Sequence, residues 1–188
     1  MRKHPIDILK SKQVDRMVYV SSIDKILDYM LPLIFAISIL FAGGMKFYFD
    51  FKNNNSIELS LIFLISSICI ATLLIYWTRK INTLIRIKGL SRGKNLKIVK
   101  RIAKENNWNV SSSNQEITII YFDWNMGSTD WGKEMTIIYD KNDILVNCIS
   151  YGMNSNPSPF HWAANEKKVN KLKTEFENGI KNVLQHCV

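Results

Sequence analysis

The residues of this 188-residue chain that could do chemistry lie mostly far apart. His4, His161 and His186 belong to no metal-ligand spacing. Cys69, Cys148 and Cys187 form no CxxC pair, and three is an odd count for a disulfide framework. They read as free thiols of a reducing compartment, with Cys148 a small core residue. Asp123 and Asp130 beside a turn read as solvated acids. Cys148 with His161 is a conceivable nucleophile and base, but a Cys in an alternating strand is usually buried and inert. The chain has no GxSxG elbow, P-loop, HExxH or glycine-rich dinucleotide turn. No enzymatic reaction, metal or cofactor is therefore expected.

Unusual side chains gather only around two connections. One holds Asp123, Trp124, Asn125, Asp130 and Trp131. The other holds Tyr151, Asn154, Asn156, Phe160, His161 and Trp162, so three of the five tryptophans fall here. If both leave one end of a sheet, Trp124, Asp130, Trp131, Tyr151, His161 and Trp162 form a polar-aromatic surface for a partner or ligand. The alternative is that the indoles cap a small core while Asn and Gly make turns.

Three β-rich runs position these connections: 116–124, 133–140 and 144–150. The second alternates Met135, Ile137 and Tyr139, and the third Ile144, Val146 and Cys148. Asp140-Lys141-Asn142-Asp143 has tight-turn composition and should join the last two as a hairpin. A final helix, 165–185, carries Val169, Leu172, Phe176, Ile180 and Val183 on one face, with Gly179 weakening its last turns. The expectation for 105–188 is a small α+β domain: a three-stranded antiparallel sheet flanked by helices, in the order α-β-β-β-α.

Ahead of it lies the most apolar stretch, Leu31 to Trp77. Its two segments, 31–49 and 59–77, each span roughly 28 Å as helix, close to a bilayer's hydrocarbon core. They read as a membrane α-helical hairpin. Ala36 and Gly43 on one segment, and Ser60, Ser67 and Ala71 on the other, repeat at helix-face spacing and should let the backbones approach. No Asp, Glu, His or Arg sits mid-span, so the hairpin alone offers no ion path. Pro32 should bend the chain where a helix from about residue 22 enters the first span.

The net charge of +9 is unevenly spread. Residues 79–104 hold ten Lys/Arg and no acid, whereas residues 105–188 hold seven Lys against ten acids. A nucleic-acid binder spreads its cations among aromatics, so nucleic acid is not the expected partner. A block beside a span reads instead as a topology signal that meets anionic headgroups of the bilayer. Arg79, Lys80, Arg86, Lys88, Arg92, Lys97, Lys100 and Arg101 are the expected membrane-surface contacts. The 78–104 segment reads as helical: one helix continuing to a stop at Gly89, then an amphipathic helix from about Lys94 to Asn106. That second helix lies on lipid or covers the sheet. Residues 1–30 read as a cytoplasmic segment whose Ile6, Leu9, Val14, Met17 and Val18 form a short surface helix, or else as a flexible tail. By the positive-inside rule both termini face the cytoplasm.

The runs WGKEMTIIYD, DILVNCIS and NPSPFHW resemble a pattern in small uncharacterised bacterial membrane proteins with two transmembrane helices, over roughly residues 116–176. That resemblance implies no activity and transfers no site residue. Two functions follow as expectations, with an enzyme of unrecognised type acting on lipid or a nucleotide as a third, weaker alternative. The chain either anchors a cytoplasmic domain at the inner membrane to bind a protein or small ligand, or acts on the membrane as an effector whose hairpins self-associate.

Overall fold

The computed structural model describes residues 5–20, 22–123, 132–152, 157–158 and 161–185. The chain forms two compact units, Ile23–Ile81 and Met1–Ser22 with Asn82–Val188.

The first unit carries two long helices, α2 (Ser22–Lys52) and α3 (Glu58–Lys80). Within them, Pro32–Lys52 and Glu58–Lys80 are long and apolar enough to cross a membrane. Their large side chains point outward: Phe35, Phe41, Leu59 and Ile62 are 55%, 68%, 74% and 61% exposed. The core helix of a soluble protein would bury such residues. Small residues are buried instead, namely Ala36, Gly43, Ser60, Ser67 and Ala71. Pro32, where a bend is expected, lies inside one continuous helix, α2, that begins ten residues earlier.

The second unit is built on a five-stranded antiparallel sheet, ordered β1-β5-β4-β3-β2. Its strands are β1 (Ile85–Lys88), β2 (Asn109–Ser113), β3 (Ile117–Phe122), β4 (Lys133–Asp140) and β5 (Asp143–Ser150). The expected α+β class is present, but the sheet has five strands rather than three. Both additions are edges. β1 was expected as helix because Ile81, Leu84, Ile85 and Lys88 have helical spacing. Ile85 and Ile87 also alternate with Arg86 and Lys88, and pairing Ile85 with Val146 and Ile87 with Ile144 makes the two-residue period win. β2 reads NVSSS, which little in strand propensity marks. It is held by pairing with β3 across a turn in which the Asn114 carboxamide accepts from the backbone N–H groups of Glu116 and Ile117.

One sheet face carries Ile120, Met135, Ile137, Tyr139, Ile144 and Val146. It packs against Ile98, Val99, Ile102 and Ala103 of α4 (Arg92–Glu105) and Val169, Leu172 and Phe176 of α5 (Trp162–Gln185). The amphipathic α4 thus covers the sheet, and its exposed face keeps Lys97, Lys100 and Arg101. Gly179 is where α4 and α5 meet. A Cβ there would lie 2.8 Å from Ile98 Cγ2, so the glycine serves close packing rather than fraying.

The opposite face is covered by the N-terminal segment, which is neither a separate surface helix nor a tail. Helix α1 (Ile8–Val14) is capped by Asp7, whose carboxylate accepts from the Lys10 N–H at 3.0 Å. Ile6, Ile8 and Met17 pack with Leu84, Ile117, Ile138 and Leu145, while Leu9 and Val14 are exposed. Ile6 and Met17 sit in the extended flanks of α1, so helical spacing assigned the wrong face.

Candidate functional site

Both connections singled out in the sequence leave the same end of the sheet. Phe122 pairs with Lys133, Lys133 pairs with Ser150, and the Tyr151 N–H donates to the Gly132 carbonyl at 3.0 Å. Trp124, Asp130 and Trp131 lie outside the described residues. Tyr151 is buried and bridges to Pro157, which makes it a framework residue. His161 is half-buried just ahead of α5, and Trp162, its first residue, is exposed.

The same end carries a constellation that sequence reasoning missed. Trp108 and Phe122 meet edge to face, their centroids 5.4 Å apart. The Lys168 ammonium lies 4.6 Å from the Phe122 centroid and 5.9 Å from that of Trp108, and Lys171 sits 5.8 Å from the Trp108 ring. Beside them, the Cys148 thiol and the Ser150 hydroxyl both reach the Asn165 carboxamide oxygen, at 3.9 and 2.7 Å. Cys148 is buried in the main core, the setting of a structural rather than a reactive cysteine. Burial holds the Lys168 pKa below its ordinary value, and the charge of Lys171 adds to this. The available signal was the spacing on α5 of Lys171 with Lys167 (i, i+4) and with Lys168 (i, i+3), which makes each pair neighbours on the helix surface.

Of the expected membrane-surface cations, Arg79 and Lys80 end α3, with Lys80 over the Tyr76 ring at 4.7 Å. Lys88 is exposed and Arg92 half-buried. Arg101 pairs with Glu105 at 3.7 Å. Arg86 is occupied within the domain. It donates to Asp15, Asp140 and Asp143 at 2.7, 2.8 and 3.2 Å, and to the Lys12 carbonyl at 3.3 Å. With a fifth contact from Nε to Asp15, every guanidinium N–H has an acceptor. Those carboxylates, Asp15 first, raise its pKa further. Arg86 is thus a clamp between α1 and the β4–β5 turn.

All five small residues expected to pack the hairpin helices are buried, and Gly43 and Ser67 meet closely. A Cβ on Gly43 would lie 2.7 Å from Ser67 Oγ, and Ser67 itself donates back to the Phe63 carbonyl.

A cavity of about 680 Å³ opens on the second sheet face, lined by Ile6, Ile8, Ile117, Ile119, Tyr121 and Glu134 among others. Its size suits a small ligand.

Comparison of the sequence with protein-family models and with curated proteins finds no match.

Proposed function

We propose that this chain is a two-pass protein of a bacterial inner membrane, whose hairpin anchors a cytoplasmic α+β domain that binds a small ligand or protein. One observation carries the reading. Residues before α2 and after α3 belong to a single folded unit, tied by Met17 N–H to Asn82 O (2.7 Å), Leu84 N–H to Asp15 O (2.9 Å) and Tyr19 Oη to Asn82 Oδ1 (3.1 Å). Two helices that cross the bilayer must then start and finish on one side. The cations following α3, counted on the nascent chain, favour the cytoplasmic side. The outward apolar side chains of α2 and α3 support lipid as their surroundings.

The test has two parts. Alkaline carbonate should leave the chain in the membrane pellet. Fluorescent-protein fusions to either terminus should glow while alkaline phosphatase fusions stay inactive. Release by carbonate rejects the anchor, and an active phosphatase at either end rejects the orientation.

The effector alternative was motivated by the small-residue faces. Gly43 and Ser67 use that face inside one hairpin, which removes the need for a second copy. Induced expression with a membrane-potential dye separates the two readings, since only the effector depolarises.

A further inference from the structure

Lysines from α5 and β4 gather around Trp108 and Phe122. Two of their ammonium groups are fixed against a rigid ring pair, Lys168 over Phe122 and Lys171 over Trp108. Lys133 joins from β4, opposite Phe122 in the strand register, and Lys167 is the neighbour of Lys168 on α5. Burial, then Lys171 and, more weakly, Lys133 and Lys167 disfavour the charged form of Lys168, while Cys148 favours it. Glu175 offsets part of the lysine charge at 3.8 Å from Lys171, but its other oxygen accepts from the Asn106 carboxamide at 2.6 Å. Ammonium groups held this way repel one another, and an entering dianion relieves all of them together. A phosphate group suits the place better than a carboxylate, because it brings more charge and three strong acceptor oxygens to several point-charge donors.

We propose that the cluster of Lys133, Lys167, Lys168 and Lys171 at the Trp108–Phe122 pair is a phosphate-binding site, taking either a soluble phosphate compound or a phosphate headgroup. The inference rests on the ligand-binding half of the reading above and not on the anchoring half.

The full chain in phosphatidylcholine nanodiscs would be labelled with an amine-acylating reagent and each lysine followed by peptide mass spectrometry. One arm adds inorganic pyrophosphate, a second replaces part of the lipid with phosphatidic acid, and a third adds polyglutamate. Lys168 and Lys171 should label about tenfold more slowly at roughly ten times the dissociation constant. Lys141, exposed in the β4–β5 turn, should be unaffected. Protection by pyrophosphate assigns a soluble ligand, and protection by phosphatidic acid alone assigns the headgroup. No protection in either arm overturns the site, as does equal protection of Lys141. Polyglutamate protecting as well as pyrophosphate overturns phosphate in favour of an acidic protein. Lys133→Ala with Lys167→Ala keeps the reporting pair and should weaken pyrophosphate about tenfold, with an unchanged melting temperature as the check on folding. Failure of the anchor would appear separately, as carbonate release, and would leave this labelling pattern intact.

Discussion

Tyr139 shows how a single buried polar group ties stability to pH. Its ring is fully buried in the main core, and its hydroxyl shares a 2.9 Å hydrogen bond with Thr118, whose own hydroxyl also reaches Ser113. Burial pushes the Tyr139 pKa up to about 12 from 10.0. An acid whose pKa is raised on folding contributes stability that is intact below the unfolded pKa and disappears as pH climbs through the folded one. Domain stability should therefore fall between pH 10 and 12, with up to roughly 2–3 kcal/mol tied to this group. Tyr139→Phe should cost about 1 kcal/mol at neutral pH, since Thr118 keeps Ser113 as a partner, and should flatten the alkaline decline. Urea unfolding at pH 8, 10 and 11 checks both effects, and parallel curves for the two proteins would refute the assignment. Arg86 makes a related point. Read as one of ten cations beside a span, it belonged to lipid, whereas its five N–H groups are spent on partners 54 to 74 residues away in sequence. Charge is legible in a sequence, but the long-range pairing that consumes it is not.

Among the elements, those with strong periodicity or length were the readable ones. The two apolar helices, the β4–β5 hairpin and α5 stand close to their expected bounds, because each satisfies its own pattern locally. The edge strands β1 and β2 were not readable, since one mixes two periods and the other has no apolar face. Their structure comes from the neighbour each pairs with. Of the two connections expected to carry a ligand surface, the sequence made legible their shared end of the sheet. The lysines and rings at that end come from α5, β3, β4 and the connection between α4 and β2, which only tertiary packing brings together. Within the first unit, the two adjacent glycines of α2 differ sharply. A Cβ on Gly43 would press into Ser67, while one on Gly44 meets nothing within 4 Å. Gly43→Val should therefore lower the hairpin's melting temperature in detergent, and Gly44→Val should leave it nearly unchanged. Equal effects would mean that the glycines matter through helix propensity alone.

For the whole molecule, the N-terminal segment decides how the parts depend on one another. It supplies the second layer of the sheet, donating Ile6, Ile8 and Met17 to an apolar cluster and Asp15 to the Arg86 clamp. The domain is therefore discontinuous in sequence, closed by residues from both sides of the hairpin. A chain emerging in order must hold this segment until β1 is made, at least 65 residues later, so the domain's non-local pairings form late. Deleting residues 1–18 would expose Leu84, Ile117, Ile138 and Leu145 and leave Arg86 shared by two carboxylates. Losing Met17 alone from such a cluster is worth about 2–5 kcal/mol. In detergent the truncated chain should be degraded more rapidly by added protease and should melt lower, while Leu9→Ser, altering an exposed position of α1, should match the parent. An independent surface helix would give the reverse pattern: the deletion would leave the domain's melting unchanged, and Leu9→Ser would weaken membrane contact.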